Sequence, residues 1–303
     1  MNAPSILVTC FFATVFAGSY ASSEELAPRT TKIQTQVTVT ASVVVPRETL
    51  RSNAVQRSND SAPDARKNVY ATRSSSTSDS AKQETPPVRV LIVGDSMAAT
   101  DFGRELQKKL RGRKQTRCFR KGKSSTGLAR PDFYDWMGEG KRQIKKTKPN
   151  VVIVIVGGND GQDLIDKARK KRRVFWRGKK WETAYSERIN NFVTLLREPD
   201  RHVIWLELPA MDRKRLENKL KLIREVQKET IETMGNRTHY VRTEQHFYEP
   251  SGKLIRKISD PKSRKKVPLR QEDGIHFSLA GSKYFAHRVF LQVDELLTSI
   301  GQK

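Results

Sequence analysis

A serine, an asparagine and a histidine with an aspartate three residues before it are the side chains of this sequence that could do chemistry together. Ser96 closes Gly94-Asp95-Ser96, directly after the apolar run Val88 to Val93. Asn159 lies in Gly157-Gly158-Asn159-Asp160, after the β-branched run Val151 to Val156. Asp273-Gly274-Ile275-His276 comes shortly before the C-terminal amphipathic stretch. A serine on a tight strand-to-helix turn is exposed, and its own N–H, at a helix start, suits developing negative charge. A loop histidine such as His276 can take the serine proton, and Asp273 can fix its tautomer and stabilise the imidazolium. An asparagine beyond a buried strand can aim its amide at an oxyanion. The plain alternatives are that Ser96 is a helix cap, that Asn159 and Asp160 form a turn, and that Asp273 and Ser278 start a helix. Asp95 is read as serving its turn. His202, His239, His246 and His287 lack metal-ligand spacing, and Cys118 has no accompanying motif, so neither metal nor cofactor is expected.

Such groups need a scaffold that brings distant segments to one edge. Val88 to Val93, Val151 to Val156, Val203 to Leu208 and His239-Tyr240-Val241 are continuous apolar runs, as expected of a parallel sheet covered on both faces. Between them, Tyr185, Ile189, Phe192, Val193 and Leu196 form one helical stripe, and Leu216, Leu220, Ile223 and Val226 another. Tyr284, Phe285, Val289, Val293, Leu296 and Ile300 make a closing helix. Alternating strands and helices predict an α/β domain over 88–303, a three-layer α/β/α doubly wound parallel sheet. The candidate residues then fall at the carboxyl ends of strands, where such sheets place their sites.

At these residues the sequence resembles the SGNH (GDSL-like) hydrolases. The nucleophile block is Val93-Gly94-Asp95-Ser96, the Gly-x-Asn-Asp block Gly157 to Asp160, and the Asp-x-x-His block Asp273 to His276. Ser125-Thr126-Gly127-Leu128-Ala129-Arg130 is the candidate for the glycine block, with Thr126 where serine is usual. The stretches Gly127 to Trp136, Asn159 to Gln162 and Trp205 to Pro209 look like a periplasmic bacterial subgroup catalogued as a domain of unknown function. The resemblance implies a flavodoxin-like sheet and an acyl-serine mechanism. In it Ser96 attacks an ester carbonyl, His276 is base and then acid, and Asp273 orients His276. The N–H groups of Ser96 and Gly127 and the Asn159 amide form the oxyanion hole. Arg130, Asp135, Trp136 and Gln162 fall where the subgroup resemblance is closest, and either line the pocket or tie its loop to the body.

The 303 residues carry a formal charge of +25, which points to a polyanionic partner. Ile6 to Ala17 followed by Ser19-Tyr20-Ala21 reads as a signal peptide over 1–21, although no basic residue precedes the apolar run. Residues 22–87, with 20 Ser/Thr in 66 positions and no Gly, Phe or Trp, read as a disordered stalk, save for a strand-like Val37 to Val45. No apolar run is long enough to span a membrane once the signal is cleaved. The charge concentrates in Lys167–Lys180, which has nine Lys/Arg with Phe175 and Trp176 interleaved, and in Arg256–Arg270. Both should emerge on the site's side of the sheet. Cations beside an aromatic such as Trp176 suit sugar rings bearing acidic groups; no nucleic-acid module is present. The expectation is therefore a secreted, periplasmic serine esterase that removes acetyl or other short acyl groups from an acidic polysaccharide. An O-acyltransferase using the same site, and a non-catalytic binder of anionic polymers, are the alternatives.

Overall fold

The computed structural model describes residues 86–166, 172–261 and 263–301. The signal peptide, the stalk and its strand-like Val37 to Val45 lie outside the described residues, apart from Pro86 and Pro87.

Five strands form one parallel sheet: β1 (Val88–Gly94), β2 (Thr116–Gly122), β3 (Val151–Ile155), and β6 (His202–Leu206) beside β7 (Thr238–Val241). The sheet order is β2-β1-β3-β6-β7, the flavodoxin-like doubly wound order. Two small antiparallel hairpins stand apart from it: β4 (Leu164–Asp166) with β5 (Arg172–Val174), and β8 (Lys257–Ser259) with β9 (Lys266–Pro268). Of the two basic runs expected from the sequence, the first contributes β5 to one hairpin and the second contributes both β8 and β9 to the other.

The central strands are apolar throughout because both faces are covered. Val90 to Val93, Val151 to Ile155 and Val203 to Leu206 are completely buried. Helix α2 (Asp101–Gly112) packs with α6 (Leu279–Gly301), while α3 (Trp136–Thr147), α4 (Trp181–Arg197) and α5 (Lys214–Glu232) pack in succession. The predicted stripe of α4 is buried at all five positions, and in α5 Leu220, Ile223 and Val226 are.

The strand β2 was not expected. Its sequence, Thr-Arg-Cys-Phe-Arg-Lys-Gly, lacks an apolar run because an edge strand is only half covered. Its charges serve the neighbouring helices. Arg120 donates to the carbonyls of Ala98 and Ala99 (2.8 and 3.0 Å) and to Gln107 Oε1 (3.2 Å). No helix among the described residues is long and apolar enough to cross a membrane.

Candidate active site

The strand order reverses between β1 and β3, so the loops leaving these two strands flank the crevice where doubly wound sheets hold ligands. Ser96 opens α1 (Ser96–Ala99), a single turn separated from α2 by Thr100. The helix at the nucleophile is therefore a single turn. Close approach of β1 to β3 demands Gly94, since a Cβ there would lie 1.9 Å from the Ile155 carbonyl oxygen.

Asp95 fixes this turn. Its Oδ1 accepts from Met97 N (3.0 Å), and its Oδ2 from Gly157 N and Gly158 N (3.2 and 3.0 Å). The carboxyl thus staples the loop after β1 to the loop after β3. Burial pushes its pKa up to about 6, against the pull of the N–H donors of Met97 and Gly158.

A second buried carboxylate, Asp160, holds the glycine loop. Its oxygens accept from Leu128 N (3.0 Å), Ala129 N (2.8 Å) and Tyr185 OH (2.9 Å). Burial raises its pKa, while the Ala129 and Leu128 N–H groups and the Tyr185 hydroxyl act in the other direction. Gln227 Nε2 continues the network to Tyr185 OH (3.1 Å) and to the Val156 carbonyl (2.8 Å). Gly127 is fitted to this carboxylate, since a Cβ there would meet Asp160 Oδ1 at 2.0 Å. Asn159 Nδ2 donates to the Thr126 carbonyl (2.9 Å), which uses one of its two amide hydrogens. The backbone N–H groups of Ser96 and Gly127 make no hydrogen bond among the described residues. Three of the four predicted segments are therefore lashed together by hydrogen bonds, with two backbone donors and one amide hydrogen uncommitted.

The fourth segment precedes α6. His276 Nδ1 lies 2.6 Å from Asp273 Oδ2, and Asp273 Oδ1 accepts from Ile275 N (2.8 Å) and His276 N (2.9 Å). Partial burial works against the Asp273 charge, but the bond to His276 and the two N–H donors outweigh it and hold the carboxylate below its usual range. Beneath the loop, Arg270 donates to the carbonyls of Ile275 and Ala210 and lies over the Phe277 ring, 4.3 Å from its centroid. Desolvation lowers even this guanidinium to about 10. Phe277 also packs on Phe102 of α2, with centroids 6.3 Å apart. That contact links the histidine loop to the helix that follows Ser96. The described hydrogen bonds join neither Ser96 Oγ to His276 nor the histidine loop to the other three segments.

Residues 89–292 match the family described as protein of unknown function (DUF459), well over half of the sequence. The chain belongs to that family. None of the curated proteins matches it. Among solved structures it is similar to an acetyl esterase at 14% identity, with a TM-score of 0.43 over 70% of this chain and 99% of the other. A carbohydrate esterase family 3 protein from Talaromyces cellulolyticus gives 13% identity and a TM-score of 0.46, over 70% and 99%. An acetylxylan esterase from Geobacillus stearothermophilus gives 18% and 0.47, over 68% and 94%.

The remaining predicted residues of this family member separate into supports and a cleft. Trp136 is 2% exposed and its indole N–H is taken by Thr126 Oγ1 at 3.1 Å, so it ties the glycine loop to the body, and it also borders a cleft of about 840 Å³ that Gly127 shares. Gln162 has both roles. Its Nε2 donates to the Asn159 carbonyl (2.5 Å) and its own carbonyl accepts from Trp181 Nε1 (2.9 Å), yet it also lines a cleft of about 630 Å³. Arg130 lines the same cleft, paired through two bonds with Asp132 (2.9 and 2.8 Å), as does half-buried Trp176. Asp135 caps α3 by accepting from Gly138 N at 3.0 Å.

Tyr185, Arg188, Gln227 and Arg270 are the positioning groups that sequence reading missed. Arg188 donates to the carbonyls of Leu128 and Ala129 (both 2.8 Å) and of Ile165 (2.7 Å), supporting the glycine loop from α4. The available signal was a tyrosine in an otherwise apolar stripe and polar residues beside helical core positions.

Proposed function

We propose that this protein is a serine esterase that removes acetyl or other short acyl groups from an acidic cell-envelope or extracellular polysaccharide. The observation that carries the reading is the Asp273–His276 pair at 2.6 Å, in a fold that also sets Ser96 and uncommitted N–H donors at the β1/β3 switch point. With Asp273 bonded to Nδ1, the proton sits there and Nε2 is left as the base. His276 takes the Ser96 proton as Oγ attacks the ester carbonyl, then returns it to the departing sugar oxygen. Water, deprotonated by the same nitrogen, then attacks the acyl carbonyl; the bond to Ser96 Oγ breaks, the imidazolium proton goes to Oγ, and the acid leaves. The N–H groups of Ser96 and Gly127 and the second amide hydrogen of Asn159 would receive the oxyanion, each worth about 3 kcal/mol. The reading requires Ser96 and His276 to meet in the substrate complex, and catalytic hydrogen bonds commonly tighten only there.

The test is hydrolysis of a short-chain chromogenic ester by the full chain and by Ser96→Ala. Wild-type turnover with a loss of at least about a thousandfold in the variant is expected; equal rates would remove Ser96 as nucleophile. The same proposal places the protein in a bacterial periplasm, released by cleavage near Ala21. Mature protein that retained Met1 would contradict that location.

A further inference from the structure

The two loops that carry Gly127 and Asn159 run on into the 630 Å³ cleft. Gly127 is three residues before Arg130, and Asn159 three before Gln162, so each donor lies within about 11 Å of chain from the cleft wall. The far wall comes from elsewhere: Arg173 of β5, Trp176 just beyond it, and Lys219 of α5. Lys219 donates to the Gly161 carbonyl at 2.7 Å and lies 5.8 Å from the Trp176 ring centroid. Trp176 is braced edge-on against buried Trp181, with centroids 4.4 Å apart, and its backbone N–H donates to Asp163 Oδ1 at 2.9 Å. Arg130 is neutralised by Asp132. Arg173 is exposed and makes no ion pair among the described residues. A rigid aromatic wall beside one uncommitted guanidinium and one ammonium is a chemistry that fits a sugar ring carrying an anion.

We propose that this cleft is a subsite for an acidic sugar unit next to the acylated one, with the ring against Trp176 and its anionic group on Arg173 and Lys219. The subsite rests on the esterase reading for its purpose, but its binding does not depend on ester cleavage. A carboxylate and a phosphate share the required chemistry.

The experiment is titration calorimetry of the full chain with three unacylated trisaccharides of one linkage: a hexuronate, its phosphorylated counterpart and the neutral hexose. At least one acidic trisaccharide should bind about tenfold or more tighter than the neutral one, and the tighter of the two names the anion. Arg173→Gln, a change at an exposed side chain, should abolish that preference. Trp176→Ala should weaken all three ligands, and Trp176→Phe should recover part of the loss. Equal affinity for acidic and neutral trisaccharides, or a preference that survives Arg173→Gln, overturns the subsite. No ester is broken in these titrations, so that failure leaves the Ser96 assay standing. Inactivity toward esters with acidic-sugar binding intact would instead remove the esterase and keep the cleft.

Discussion

Asp273→Asn isolates the orienting role of the carboxylate because the structure dictates how the amide must sit. In the native loop Oδ1 takes the backbone N–H groups of Ile275 and His276, while Oδ2 faces His276 Nδ1 at 2.6 Å. An asparagine oxygen can replace Oδ1 and keep both backbone bonds. A flipped amide would set an NH₂ against two N–H donors and lose both. The retained orientation points NH₂ at Nδ1, which must then accept, so the imidazole proton moves to Nε2. That nitrogen can no longer take the Ser96 proton, and the imidazolium loses its counter-charge. The expected loss in kcat is about 10⁴-fold, roughly 5 kcal/mol of transition-state stabilisation. Folding should be little affected, because the loop hydrogen bonds survive. Asp273→Ala, by contrast, strips two backbone donors of their acceptor and should lower stability by about 1–2 kcal/mol as well. The assay is chromogenic-ester turnover, with urea unfolding of each variant alongside. An Asp273→Asn variant within about tenfold of wild type in kcat would refute both the tautomer argument and the role given to Asp273.

Two further outcomes concern the buried carboxylates. Asp160→Asn leaves three donors facing one amide oxygen that can accept two, so at least one buried N–H or O–H loses its partner. Urea unfolding at neutral pH should show a loss of about 2–4 kcal/mol, smaller than the lost bonds alone because the buried charge also disappears; a change under about 0.5 kcal/mol would contradict the assigned network. Asp95 has a carboxyl raised from 3.8 to about 6 on folding, chiefly by burial, so between those values the folded state binds more protons than the unfolded. Its contribution of about 3 kcal/mol is full below pH 3.8 and lost as pH rises through about 6. Asp95→Asn should remove that downward slope from a plot of unfolding free energy against pH; identical slopes in the two proteins would sink the assignment.

How much of this was legible in sequence depended on whether a residue's role was local. β1, β3 and β6 could be read because burial on both faces leaves an uninterrupted apolar signature. At the sheet edge β2 leaves none, and its Arg120 is turned toward carbonyls of α1. The Asp273–His276 pair spans three residues, so its spacing carries its meaning. Tyr185 bonds Asp160 from 25 residues away, and Gln227 reaches Val156 across 71; no periodicity records such pairings. The tyrosine was read correctly as a core position of α4, yet its hydroxyl also holds Asp160, the carboxylate that orders the glycine loop.

Charge was the least literal signal. Within the run Arg256–Arg270, the side chain of Arg256 is paired with Asp212 at 2.9 Å, and Arg270 is 9% exposed under the histidine loop. Arg270 thus braces the histidine loop, and the charge of exposed Arg256 is matched by Asp212. At the other hairpin Arg172 and Arg173 are exposed, and Arg173 borders a cleft that already contains an aromatic wall. A net charge of +25 spread over the surface would steer any anion, and that attraction fades as salt screens it. A guanidinium bordering the same cleft as Trp176 makes a different demand, a ring and an anion on one ligand. Selectivity for an acidic sugar over a neutral one should therefore persist in part at about 0.5 M salt, where steering by the whole surface is largely gone.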